Sequence, residues 1–389
     1  MTTVAERTVD PGTRQDEQRP KRRASFNVAA HGLRGVASLM VFFAHLLGGT
    51  AEHIYPNNQA YVQGLAPFWN VGTFGVCLFF VISGFVILPS AMRYSPGEFA
   101  GRRFMRIYPL FFAFSLLFIV LNAATGFDPD RNNLKSIIAG LTFTDLIFKT
   151  EQLTPNAWSL TYEIWFYALT AAAVYCALRR RSVFWSLVVG AAALSFLLHY
   201  PLSLYFLAGA GVRIAYDHAD QLRNGRHWFA ELLALTACLF LASRGHYDDY
   251  EWRVFRDPGV PLLIVSTTIY FALAVSSRSA TSAALGNPLF RYLGAVSYSL
   301  YLVHPYTYLL VRVSFVDAGL FSANVLVSMT LFIAVATVVT MAATHLVYHS
   351  LERWPYERFY GQKIYRAAAE APGADSKIGT AATRTARSA

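Results

Sequence analysis

Charge is the scarcest property of this chain. Only 14% of its 389 residues are Asp, Glu, Lys or Arg, against about 25% in a soluble domain. Cysteine is scarce too. Cys77, Cys176 and Cys238 each fall inside an apolar run with no paired spacing, which excludes a disulfide framework and a zinc site, so no metal is expected. The first twenty or so residues lack any apolar segment, so no cleavable signal peptide is expected. Acidic residues are fewer than basic ones, leaving a net charge of +10. That excess invites a nucleic-acid reading. The basic residues, however, lie in short loops between apolar runs, where membrane topology explains them and no nucleic-acid partner is required.

What the chain has instead is 55% apolar content with 30 Phe and 22 Tyr. Apolar runs of roughly 16 to 26 residues recur along it, the pattern of an all-α polytopic membrane protein surrounded by lipid. Ten spans are expected, at about 31–50, 70–90, 104–122, 160–178, 183–200, 201–216, 228–243, 259–276, 293–313 and 323–348. Residues 134–148 are apolar but too short to cross, and are expected to lie in the outer interface or re-enter. Ten spans put both termini on one side. That side then carries 26 of the 33 Lys and Arg residues, which makes it cytosolic. Residues 1–27 and 364–389 lack hydrophobic periodicity and read as disordered cytosolic tails flanking a membrane domain over 28–363.

The first span carries the most informative polar pair, Arg34 and His45. Eleven residues are three turns plus about 20°, so both side chains share a face, ~16 Å apart along the axis. An ionisable group inside a span costs roughly 2.5–3.5 kcal/mol and is a functional candidate by default. His45 admits two readings, a histidine packed against a neighbouring helix or a general base. Arg102, Arg103 and Arg106 open the third span. Arg102 reads as an anchor, while Arg103 and Arg106, one turn apart, are either anchors or a bidentate phosphate grip. Glu163 enters the fourth span from outside, as a structural partner of an arginine or tyrosine, or as an orienter of a catalytic histidine. His304 is ~16 Å along the ninth span from its start, at a depth similar to His45, with Pro305 beside it. Three ionisable groups at one level predict a polar pocket in the outer half of the bundle. His199, His345 and His349 lie at span ends and are assigned no role.

The segments LRGVASLMVFFAHL, GVCLFFVISGFVI, RRFMRIYPLFF, AWSLTYEIWFY, LGAVSYSLYLVHP and LERWP, in that order, resemble the membrane-bound acyltransferase-3 family of bacterial sugar and natural-product O-acyltransferases. The resemblance covers Leu33 to Pro355. It implies a multi-pass protein of the bacterial inner membrane that takes an acyl group, usually acetyl, from cytosolic acyl-CoA, with no permanently bound cofactor. The family's Arg and His separated by ten positions match Arg34 and His45. Its Arg-x-x-Arg matches Arg103 and Arg106, its fourth-span glutamate Glu163, and its late Ser-Tyr…His run Ser297, Tyr298 and His304. On this resemblance Arg34, Arg103 and Arg106 bind the CoA phosphates, while His45, Glu163 and His304 form the catalytic set. The chain departs from the family pattern at Cys77, where an acidic residue is usual, and at Ile164 and Trp165, which replace a polar pair. The expected acceptor is a hydroxyl of a cell-surface or exported glycan or its lipid-linked precursor. A small secondary metabolite such as a macrolide is the alternative within the enzyme class. A proton-coupled transporter is the rival outside it, although no inverted repeat is visible.

Overall fold

The computed structural model describes residues 26–126, 128–245 and 251–361. The expected disordered tails fall almost entirely outside these. Among the described residues there is no β-strand, and fifteen α-helices follow one another: α1 Val28–His53, α2 Gln59–Arg93, α3 Pro96–Thr125, α4 Leu134–Leu141, α5 Asp145–Phe148, α6 Ala157–Val174, α7 Val183–His199, α8 Leu204–His218, α9 Asp220–Asn224, α10 Trp228–Arg244, α11 Gly259–Ala274, α12 Ala280–Leu285, α13 Pro288–Asp317, α14 Val325–Val347 and α15 Trp354–Tyr360. The starts are set by side-chain caps. Asn27, Asn58, Ser95, Asn287 and Asn324 each accept a hydrogen bond from a backbone N–H of the first turn, and Pro96 and Pro288 stand in first-turn positions, where a missing N–H costs nothing.

Four helices, α1, α2, α3 and the continuous α14–α15 rod, are long and apolar enough to cross a membrane. α7 and α8 qualify only as a pair, bent by 116° at Pro201. Large apolar side chains point outward along these helices, among them Phe112 and Val120 of α3, Leu187 of α7 and Val338 of α14. So much exposed apolar surface suits lipid rather than water. The protein is a helical membrane protein. Residues 134–148 form the two short helices α4 and α5, too short to span. They are tied to α6 where Thr161 donates to Asp145 (2.8 Å) and the Trp165 indole N–H to the Phe143 carbonyl (3.0 Å).

α2 is the hub. α1, α8, α10 and α6 all pack on it, and α13 joins the assembly through α1 and α14. Helices in lipid gain little from apolar burial and associate by close packing instead, which favours small residues at the crossings. Gly35 of α1 is the crossing that matters for the site. A Cβ there would lie 2.8 Å from the backbone nitrogen of Gly294 on α13 and 2.7 Å from the Leu293 Cβ. Gly35→Val is therefore expected to push α1 off α13 at a cost of about 1–3 kcal/mol. The unfolding midpoint in detergent and the transfer activity should fall together, and an unchanged midpoint would show that the crossing has slack.

Candidate active site

The pairing of α1 with α13 brings His45 and His304 together, with ring centroids 5.1 Å apart. Each imidazole is fixed by its own helix. His45 Nδ1 lies 2.9 Å from the Val41 carbonyl and His304 Nδ1 lies 3.1 Å from the Leu300 carbonyl. A carbonyl only accepts, so Nδ1 carries the proton in both rings and Nε2 keeps its lone pair. The Nε2 atom of His304 faces the Asn156 amide at 3.4 Å, and that amide also donates to the Tyr301 carbonyl at 2.8 Å. His304 is fully buried, whereas His45 is only partly so and has the Trp69 indole edge-on at 5.5 Å. Of the two rings, His45 is the more accessible, with His304 behind it. Asn156 is a site residue that sequence reasoning missed, because an Asn just before an apolar run looks like a helix cap. It makes no such cap here.

Glu163 sits elsewhere than the common depth suggested. Its Oε1 accepts from Ser83 of α2 (2.6 Å) and from the Tyr167 hydroxyl one turn along α6. It makes no hydrogen bond to His45. Axial position along a helix does not fix the direction in which a side chain leaves it. Glu163 faces a small cavity of about 30 Å³ together with Arg34, Ser159, Tyr298 and Tyr301. Tyr301 closes the gap to the histidines. Its hydroxyl pairs with Ser159 (2.7 Å) and its ring meets His304 edge-on, with centroids 6.1 Å apart.

Toward the loops that carry most of the basic residues lies a larger cavity of about 220 Å³. Its walls include His31 and Arg34 of α1, Arg103 and Arg106 of α3, and Arg213 of α8. Arg103 lies against the rings of Tyr167 (5.4 Å) and Phe99 (5.7 Å) and donates to Ser90 (3.3 Å). Arg213 was missed in the sequence, where it looks like one more anchor. It is held by both Asp217 oxygens (2.8 and 2.9 Å) and stacks on Phe85 (5.1 Å). Arg102 stays outside, bonded to Glu98 at 2.9 Å and layered between Tyr94 and Tyr360. Several guanidiniums converging on one hollow make a site for phosphate oxygens.

Arg34 lines both cavities. Its Nε is buried and has no hydrogen-bond partner among the described residues, a state that costs about 1–3 kcal/mol. Another unsatisfied group is nearby. Glu352, from the LERWP segment, is fully buried in a π-helical turn after α14, where Oε2 accepts from Ser299 (2.7 Å) and Oε1 lacks a partner among the described residues. Ser297 turns back to the Gly294 carbonyl, while Tyr298 lines the small cavity and donates to the Ile107 carbonyl at 2.9 Å. The sequence departures fall off both cavities. Cys77 is fully buried in the core, and Trp165 points to the α4–α5 segment. No group of His, Cys, Asp and Glu suited to a metal ion occurs among the described residues.

With this geometry in place, comparison with known proteins is informative. The model of one family, described as an acyltransferase domain, matches residues 27–349. The chain is 26% identical over 262 residues to the exopolysaccharide production protein ExoZ of Rhizobium meliloti (strain 1021), an alignment covering 61% of this chain and 77% of that protein. No solved structure matches.

Proposed function

The chain belongs to the membrane acyltransferase-3 family, and from that membership we propose that it moves acetyl, or a similarly short acyl group, from acyl-CoA to a hydroxyl of a cell-surface or exported glycan or its lipid-linked precursor. The exopolysaccharide relative supports a glycan acceptor. The observation that carries the reading is the position of Arg34, common to the wall of the arginine-lined cavity and to that of the small cavity, whose Tyr301 meets His304. A donor with a phosphate-bearing head and a long thioester arm matches this division. The head rests on Arg34, Arg103 and Arg106, and the arm passes Tyr298 and Tyr301 toward His45.

In this reading His45 Nε2 takes the proton of the acceptor hydroxyl. The alkoxide oxygen bonds to the thioester carbonyl carbon, the carbon–sulfur bond breaks, and the CoA thiolate leaves and is reprotonated from His45. His304, bonded to Asn156, holds the second imidazole against the first. Glu163 is a positioning residue, fixing Tyr167 beneath Arg103. The accompanying topology is ten spans in the bacterial inner membrane with both termini cytosolic, supported by the distribution of Lys and Arg.

The test is transfer from radiolabelled acetyl-CoA supplied to the cytosolic face of inverted membrane vesicles. Label is expected in a glycan or lipid-linked fraction and should be absent from vesicles lacking the protein. Label appearing only after addition of a small alcohol such as a macrolide would replace the acceptor. No transfer from any acyl-CoA would remove the donor assignment.

A further inference from the structure

A second and larger cavity, about 730 Å³, adjoins the arginine-lined one, and Phe26 and Asn27 belong to the walls of both. The partition is fixed. Asn27 caps α1 by accepting from Ala30 N–H (2.9 Å) and donates to the Val275 carbonyl (2.7 Å), and the Phe26 ring packs on His31 with centroids 4.9 Å apart. Tyr216 links the two from the other side. It lines the larger cavity and stands edge-on to Phe85, a wall of the smaller one, at 5.5 Å.

The larger cavity carries Arg226 and Arg278, with Trp228 and Tyr216 as aromatic walls. Neighbouring arginines are neutralised, Arg213 by Asp217 and Arg223 by Asp220. Among the described residues, neither the Arg226 nor the Arg278 guanidinium meets a carboxylate. The Arg226 guanidinium carbon lies 4.0 Å from the centroid of the Trp228 ring, and the indole N–H is fixed by the Arg278 carbonyl at 2.9 Å. Unneutralised guanidiniums beside aromatic faces suit a group that is both anionic and planar.

We propose that this cavity is the nucleotide subsite of the donor, in which Arg226 and Arg278 grip the ribose 3′-phosphate and Trp228 and Tyr216 flank the base, while the diphosphate occupies the neighbouring arginine cavity. The proposal rests on the acyl-CoA reading above and adds a specificity. The protein selects thioesters of 3′-phosphorylated CoA over those of dephospho-CoA, through KM rather than kcat, because the contact is remote from the reacting carbon and is equal in ground and transition states.

The experiment uses the full chain in nanodiscs, with acetyl-CoA and acetyl-dephospho-CoA as alternative donors. The wild-type protein is expected to show a KM for acetyl-dephospho-CoA roughly 10- to 100-fold higher, the loss of one or two charge-assisted hydrogen bonds. In Arg226→Ala/Arg278→Ala the KM for acetyl-CoA should rise to the dephospho-donor's value, so that the discrimination collapses. Equal KM values for the two donors in the wild-type protein, a measurement that needs no variant, would overturn the subsite. So would a variant that loses activity on both donors in the same proportion. Equal KM values for the two donors, together with a loss of activity in the double variant confined to phosphatidylglycerol nanodiscs and absent from phosphatidylcholine ones, would assign the two arginines to a lipid headgroup and also overturn it. Failure of the underlying reading looks different, since the wild-type protein would then use neither thioester.

Discussion

His45→Ala is expected to lower kcat by about 10²–10⁴, the usual contribution of a positioned acid–base group, while the protein keeps its fold and its affinity for acyl-CoA. The separation of roles follows from the geometry. The imidazole is held by the Val41 carbonyl and touches His304 and Trp69, and none of the arginine-cavity walls depends on it. Its loss leaves no charge unpaired and removes a side chain that is only partly buried. His304→Ala differs in kind. That ring is fully buried among Asn156, Tyr301 and Phe42, so the variant should lose stability as well as turnover. Turnover and unfolding midpoint measured together separate the two residues. A His45→Ala protein with near-wild-type kcat would end the assignment of His45 as base. A loss of acyl-CoA affinity equal to the loss of turnover would move His45 from the chemistry to donor binding.

The long apolar helices were legible in the sequence because a run of about 20 apolar residues leaves a strong mark, although only four of the described helices are long and apolar enough to cross a membrane by themselves. Their ends were less so. α2 begins at Gln59, eleven residues before the apolar run at Asn70, and α13 starts at Pro288 rather than Leu293. An apolar run marks where lipid begins, whereas caps mark where the helix begins. The site was legible where it consists of charge in an apolar context, as for Arg34, His45, Arg103, Arg106, Glu163 and His304. It was illegible where residues of ordinary type acquire a role from their neighbours. Asn156 became a histidine partner only through the approach of α13, and Arg213 became a cavity wall only through the packing of α8 on α2. Glu163 shows the remaining gap. Its partner Tyr167 is one turn away on the same helix, but its partner Ser83 depends on the packing of α6 against α2.

Arg34 gives the second large effect, and its sign on stability is the informative part. The unliganded protein keeps a guanidinium there whose Nε is buried without a partner. Such a group destabilises the empty protein and is satisfied only by something that enters. Arg34→Ala is therefore expected to leave the unfolding midpoint of the unliganded protein unchanged or higher. The same variant should lose about 2–5 kcal/mol of donor binding, the usual result of deleting one partner of a desolvated charged pair. In kcat/KM that is roughly 30- to several thousand-fold. Lysine at this position should recover little, since an ammonium supplies a point charge without the planar fork of N–H donors. Thermal unfolding with and without acetyl-CoA, run beside calorimetry, reads both halves. A structural arginine behaves in the opposite way, its removal lowering the unliganded midpoint while donor affinity stays intact. That outcome would leave the two cavities without a shared ligand group and withdraw the route from the phosphate site to His45. The expected outcome makes Arg34 the residue that couples donor binding to the chemistry some 16 Å along the same helix.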